Sequence, residues 1–172
     1  MNKLRDFPIG SIGYFTTMQE LSRERQEEIR GMYRDLLQFE MPFTPNAEDY
    51  IEANLEMTLD ELLMAVKGFY LVITPGTDTE IIGFVGINHG EPYEINAMFI
   101  KEKYRNMGYG SVIIARFAAE HPYEQIKVNC FDLNQIALSF YRKNGFTFRP
   151  QCKDHPVQHG IKQPLMERPK YN

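Results

Sequence analysis

The sequence predicts a mixed α/β (α+β) domain with one antiparallel half and one parallel half. Three observations lead there. Hydrophobic periodicity reads as strand, two helices, hairpin, strand, helix, strand, helix and strand, in that order. An apolar strand meets a helix through a turn built on Arg105, Gly108 and Gly110. The 172 residues are 43% hydrophobic and 24% charged, which is globular composition and enough chain for one sizeable core. No repeat, low-complexity segment or linker divides them, so residues 1–172 are expected to be one domain.

Taken in order, residues 11–17 are rich in aromatic and β-branched side chains and suit a first strand. Ser22 is an N-cap for a helix whose Ile29, Tyr33, Leu36 and Leu37 fall at helical spacing. Pro42 and Pro45 break that helix. Asn46 caps a second one, with Tyr50, Ile51 and Leu55 on one face. Thr58-x-x-Glu61 is a capping box that opens a further helical piece, and Gly68 is expected to stop it. From Phe69 the period changes to two. Residues 69–74 and 81–88 form a hairpin around Pro75-Gly76-Thr77-Asp78. A turn at 90–92 leads into a strand at 93–100. A helix at 108–121 comes next, then a strand at 125–131 in which Ile126, Val128 and Cys130 alternate. Asp132 or Asn134 caps the last clear helix, which carries Ile136, Ala137, Phe140 and Tyr141 and ends at Asn144-Gly145. Residues 146–148 begin another strand, and the apolar piece at 161–166 is a candidate closing strand. Crossovers through the helices at 108–121 and 134–144 belong to the parallel half.

Composition excludes several classes of function. A net charge of −4 and a pI near 5.6 argue against nucleic acid as a partner. No apolar run is long enough to span a membrane, and the start of the chain lacks the pattern of a signal peptide. Two cysteines make no disulfide framework, so the chain reads as cytoplasmic. Cys152-x-x-His155-x-x-x-His159 has zinc-like spacing, but no fourth ligand is evident and Pro156 interrupts it; no metal is expected. Cys130 reads as a buried strand residue, and His89 and His121 show no partner pattern for a catalytic triad.

The stretch from Met98 to Ile114 carries the chemistry. The first turn of a helix exposes N–H groups at the positive end of the helix dipole, and glycines let a phosphate approach the backbone. Strand, glycine turn and helix in that order therefore make an anion site. The turn lacks the Gly-Lys-Ser/Thr ending of a P-loop, and Ile113 stands where a dinucleotide fingerprint has its third glycine. What remains is Arg105-x-x-Gly108-x-Gly110. This resembles the pyrophosphate-binding motif of the GNAT superfamily of acyl-CoA N-acyltransferases. A second stretch, Asn134-Q-I-Ala137-L-S-Phe140-Tyr141-R-K-N-Gly145-Phe146, resembles the other signature of that superfamily, one helix and one strand further on.

The resemblance implies a GNAT-like, mostly antiparallel sheet with a splayed central strand pair and helices on both faces. It implies acetyl-CoA as cosubstrate, with pantetheine lying in the splay as an added strand would. Backbone groups of Met98, Phe99 and Ile100 would hold that arm. Arg105, Asn106, Met107, Gly108, Tyr109 and Gly110 would wrap the pyrophosphate, mostly through N–H groups, with Ser111 adding its hydroxyl. Asn134 would contact pantetheine or serve as a plain helix cap. Lys101 and Lys103 would add positive charge near the adenosine 3′-phosphate. Tyr141 would be the acid for the departing thiolate. Glu94 is the carboxylate for the base: by period two it shares a side with Ile100 if no bulge intervenes, and Asn96 on that face could order a water instead.

The acceptor side would be lined by Phe39, Glu40, Met41, Phe43, Glu48, Asp49 and Glu52, a set that suits a cationic amine with some apolar body. The acceptor is then a small-molecule or peptide amine, and the assembly is left between monomer and homodimer. Two functions follow: an N-acetyltransferase, or a fold relative that holds acyl-CoA without turnover.

Overall fold

Isoleucine, valine and phenylalanine fill Ile81–Asn88, which is buried along nearly its whole length; the sheet is built about this strand. The structure, a computed structural model, describes residues 14–43, 48–56, 58, 61, 68–73, 80–88, 90, 92–148, 157–158, 161–162 and 165–168. Its strands are β1 (Tyr14–Thr16), β2 (Gly68–Ile73), β3 (Ile81–Asn88), β4 (Tyr93–Ile100), β5 (Ile126–Asn129), β6 (Thr147–Phe148), β7 (Val157–Gln158), β8 (Ile161–Lys162) and β9 (Leu165–Arg168). Seven of them form one sheet in the order β1-β2-β3-β4-β5-β9-β6, and β7 and β8 pair separately. Within the large sheet only β4 and β5 run parallel.

Four α-helices are described: α1 (Arg23–Glu40), α2 (Glu48–Leu55), α3 (Tyr109–Glu120) and α4 (Gln135–Lys143). One face of the sheet packs on α1, where Ile29, Met32 and Leu36 meet Phe84, Ala97 and Phe99. The other face packs on α3 and α4, where Ile113, Phe117, Leu138 and Tyr141 meet Val85, Ile95 and Val128. Local signals explain the helix limits. Ser22 Oγ accepts from the Arg25 N–H at 3.4 Å, and Pro42 bars continuation of α1 beyond Glu40. At the end of α4, Phe146 N–H donates to Tyr141 and Gly145 N–H to Arg142, with Gly145 at φ +86°. That double bond pattern is the Schellman closure a glycine permits.

The mixed, mostly antiparallel sheet agrees with the predicted class, and β3 and β4 have the predicted limits. Several expectations are corrected. Gly68 is the first residue of β2, and the end of the helical piece it was expected to stop lies outside the described residues. The parallel half shrinks to one strand pair, because β9 inserts antiparallel between β5 and β6. Met32 joins the core of α1 where Tyr33 is only half-buried, and Ile136 on α4 is 63% exposed while Leu138 takes the core position. The Thr58–Glu61 capping box forms, with Thr58 N–H on Glu61 Oε2 at 2.7 Å and Glu61 N–H on Thr58 Oγ1 at 3.3 Å. Asn46, most of the helix after that box, the 75–78 turn, His89 and the Cys152–His155–His159 stretch lie outside the described residues. Among the described residues no helix is long and apolar enough to cross a membrane, and no three His, Cys, Asp or Glu gather where a metal could sit.

Gly83 fixes how closely β3 and β4 approach. A Cβ there would run into the Phe99 carbonyl oxygen and lie 2.6 Å from Ile100 Cδ1. Gly83→Ala is therefore expected to cost about 1–3 kcal/mol, since backbone must move to admit it. Urea unfolding measures this, and a variant within about 0.5 kcal/mol of the parent would show that the strands separate freely.

Candidate active site

The register of β4 decides where its side chains go. Gly86 faces Ala97, but Ile87 faces Ile95, so Asn96 is an extra residue in β4 and forms a bulge. One extra residue inverts the alternation. Ile95 packs towards α3 with Tyr93, whose ring meets Phe117 at 5.6 Å. Past the bulge Met98 and Ile100 take that face, and Ala97 and Phe99 turn to α1. Glu94 therefore points to the α1 face, opposite Met98 and Ile100, which corrects the period-two expectation. Its Oε1 accepts from Asn129 Nδ2 at 2.8 Å, and its Oε2 lies 3.3 Å from Lys127 Nζ. On the facing strand Asn88, paired in register with Glu94, has a buried Oδ1 with no hydrogen-bond partner.

The same strand loses a neighbour. Parallel pairing of β4 with β5 runs only from Tyr93–Ile126 to Ile95–Val128, and beyond it the two strands part. Lys101 N–H donates to the Ile82 carbonyl at 2.8 Å. By antiparallel alternation Phe99 and Ala97 also bond to β3, so the backbone groups of Met98 and Ile100 face the gap. Phe99, expected beside them, sends its backbone to Phe84 and its ring to the α1 face. The Ile100 carbonyl accepts from Arg105 Nε at 2.9 Å.

At the mouth of the gap the chain turns into α3. Asn106 (φ 61°) and Gly108 (φ 92°) are both left-handed, and Gly108 is the N-cap. Gly110 and Ser111, the second and third helical residues, have no intrahelical carbonyl to donate to. These N–H groups, at the positive end of the dipole, have the geometry an anion would need. Side chains of the turn do other work. The Arg105 guanidinium lies over Phe39 at 4.8 Å and Phe99 at 5.5 Å, at a cleft of about 380 Å³ on the α1 face. Tyr109 is buried edge-on to Tyr104, and Met107 is exposed. A Cβ on Gly110 would sit 2.8 Å from Met98 Cε and 3.1 Å from the Phe140 ring, so this glycine serves the close approach of α3 to β4 and α4. Lys101 is held between Glu28 (3.2 Å) and Glu80 (3.4 Å), and Lys103 by Glu80 at 3.2 Å. Both expected phosphate lysines are thus ion-paired to carboxylates.

Tyr141 comes to the gap from α4. It is buried among Phe140, Phe146 and Met98, and its hydroxyl lies 3.9 Å from Met98 Sδ, a weak donor contact to sulfur. Asn134 is buried and spends its Oδ1 on the Ala137 N–H at 3.0 Å, the helix-cap role. Burial raises the Tyr141 hydroxyl well above its ordinary value, with smaller contributions from Cys130 and Glu40. Burial likewise pushes the Cys130 thiol to about 12, with Glu40 adding to it. Glu40 itself, the last residue of α1, is raised by burial to about 7. Glu40, Cys130 and Tyr141 are therefore electrostatic neighbours at the gap. Sequence reading placed Glu40 only among acceptor-side residues, because nothing local marks a carboxylate that tertiary packing will desolvate.

Residues 66–148 match the family model described as acetyltransferase (GNAT) domain. No curated protein matches the chain by sequence. Among solved structures, the PaiA N-acetyltransferase of Thermoplasma acidophilum in complex with coenzyme A superposes with a TM-score of 0.66 at 18% identity, covering 92% of this chain and 99% of that one. A GCN5-related N-acetyltransferase from Rhodopseudomonas palustris gives 0.62 at 14% identity, over 92% and 96%. Apo YjaB from Escherichia coli gives 0.59 at 18%, over 91% and 95%. These likenesses are of fold.

Two measurements probe the site. Gly108→Ala forces a Cβ into the left-handed region at a cost of about 1–2 kcal/mol and should weaken CoA binding in calorimetry. Gly110→Asp should abolish it; a folded variant of unchanged affinity would place the anion elsewhere. Cys130, protonated at neutral pH, should resist alkylation by iodoacetamide in the native state and react only on unfolding.

Proposed function

We propose that this chain, whose residues 66–148 match the acetyltransferase (GNAT) domain model, transfers an acetyl group from acetyl-CoA to a primary amine by direct attack. The observation that carries the reading is the parting of β4 from β5, which turns the Met98 and Ile100 backbone into a gap that opens on the α3 N-terminus. A pantetheine arm is a chain of amides, and the free edge of β4 offers it the pairing a strand would. The pyrophosphate end then meets the Asn106–Ser111 cradle. Holding thioester and amine together in near-attack geometry can by itself supply about 7–11 kcal/mol.

The nitrogen lone pair forms the C–N bond as the C–S bond breaks, and sulfur leaves with the bonding pair. Tyr141 supplies its proton to that sulfur, and the proton shed by the new amide nitrogen restores the phenol. The surroundings that raise Tyr141 do not defeat this step. They raise a thiol in the same direction, as Cys130 at about 12 shows, so a thiolate formed there is a strong base. The proton of the incoming ammonium leaves towards the α1 face, where Glu94 and Glu40 are the nearby carboxylates.

Thiol release from acetyl-CoA over a panel of amines tests the reading directly. CoA at saturating concentration should also raise the melting temperature, because it binds the folded state. No heat, no stabilisation and no thiol release would sink the proposal. Tyr141→Phe keeps the ring packing and should leave CoA affinity nearly unchanged while lowering turnover about 10²–10⁴-fold. A change below about threefold, with chemistry rate-limiting, would remove Tyr141 from the mechanism.

A further inference from the structure

We propose that the cleft on the α1 face of β4 is a carboxylate-binding subsite built on Arg105, so that the acceptor is an amine that also carries a carboxylate, of the amino-acid class. The proposal rests on the acetyl-transfer reading and deepens it. Its foundation is the way the guanidinium is held. Arg105 Nε donates to the Ile100 carbonyl at 2.9 Å, and the guanidinium carbon lies 4.8 Å from the centre of the Phe39 ring and 5.5 Å from that of Phe99. One bond and two rings thus fix a planar, half-buried cation at a cleft of about 380 Å³. Among the described residues its terminal nitrogens meet no carboxylate, although Asp35 and Glu102 line the same cleft. A guanidinium held in one orientation, with its outer fork unspent, matches a carboxylate, which accepts two parallel N–H bonds from it.

The other walls decide the rest of the ligand's chemistry. Lys101 also lines the cleft, but Glu28 and Glu80 hold it at 3.2 and 3.4 Å, so Arg105 is the cation left for an anion. Asp35 and Glu102 stand exposed in the lining. They would repel the second negative charge of a phosphate, and they accept a zwitterion, whose ammonium offsets them. The volume suits a molecule of amino-acid size, and the Phe39 and Phe99 rings offer its side chain an apolar wall. The cleft also lies where an acceptor is needed. Phe99 stands between Met98 and Ile100 on β4, with its ring in the cleft while their backbone groups face the gap. The carbonyl that anchors Arg105 belongs to that same edge. A carboxylate held by Arg105 therefore keeps its molecule alongside the strand that would carry the thioester. Arg105 is on this account a residue of acceptor binding, and its effect falls on KM.

The test uses amines in pairs that differ by one carboxylate: tyrosine against tyramine, phenylalanine against phenethylamine, lysine against cadaverine. In thiol release from acetyl-CoA by the full chain, the carboxylate member of a pair should be favoured about tenfold or more in kcat/KM, mainly through KM, as a charge-assisted bidentate bond gives. Arg105→Gln keeps the backbone of the turn and should bring the two members within about threefold of each other, with CoA affinity in calorimetry retained. Arg105→Lys, which keeps the charge and loses the fork, should fall between the two. Equal use of both members by the unaltered protein, or a preference that survives Arg105→Gln, would overturn the proposal. So would an Arg105→Gln protein whose loss lies in CoA affinity, since the guanidinium would then serve the pyrophosphate. If no amine releases thiol, the acetyl-transfer reading fails by itself, and calorimetry of the CoA-bound chain with the same pairs decides the cleft. Tighter binding of the carboxylate member that depends on Arg105 would support the subsite, and equal binding would overturn it.

Discussion

Two strands that begin as neighbours and then separate set the terms for the rest of this structure. Past Ile95 and Val128, β4 has a partner on one side only, and every other peptide on its free edge is left facing the gap. Buried peptide groups must find partners, so such an edge in the middle of a sheet persists only where a ligand or water can reach it. The elements around it keep it open. Glycine at position 110 lets α3 approach β4 without displacing Met98 or Phe140, and left-handed Gly108 lets the helix begin at the mouth of the opening. On its other edge β5 is bonded to β9, which ties it to the far side of the sheet.

The electrostatics of the gap follow from the same arrangement. Cys130 and Tyr141 at its walls, and Glu40 close enough to act on both, all move towards their protonated forms, and for all three the leading cause is removal from water. Away from the gap several charges are paired. Glu28, Lys101 and Glu80 form a chain from α1 across the turn after β4, and Glu80, which also accepts from the Tyr104 hydroxyl at 2.7 Å, falls to about 2. Dry walls strengthen any charge that develops during reaction.

What could be read from the sequence was local. The cap at Ser22, the glycine closure after α4 and the limits of β3 and β4 are set by neighbours a few residues away, and each followed from composition and spacing; for α4 the sequence offered Asp132 or Asn134, and the cap is Asn134. What could not be read depends on pairing between distant segments. The bulge at Asn96 is a property of two strands in register, not of β4 alone, and it reversed the side on which Glu94 lies. The position of β9 between β5 and β6 is likewise non-local, so the expected parallel half lost all but one of its pairs. The glycine turn was legible as a strand-to-helix turn, but the division of labour within it was not. Gly108 answers to backbone conformation and Gly110 to packing, and only the geometry of Met98 and Phe140 separates them.

The insertion of β9 has a consequence for how the chain acquires its shape during synthesis. Residues 165–168 complete the sheet between two strands that precede them, so β6 has no edge to join until β9 arrives. Until then β5 is held only by its three pairs to β4, the pairing whose early end makes the gap. A nascent chain would therefore carry the β1–β4 meander well ahead of a firm far wall. Contacts this distant in sequence form slowly, and the exposed edges of β5 and β6 are the surfaces on which a stalled intermediate would stick to its neighbours.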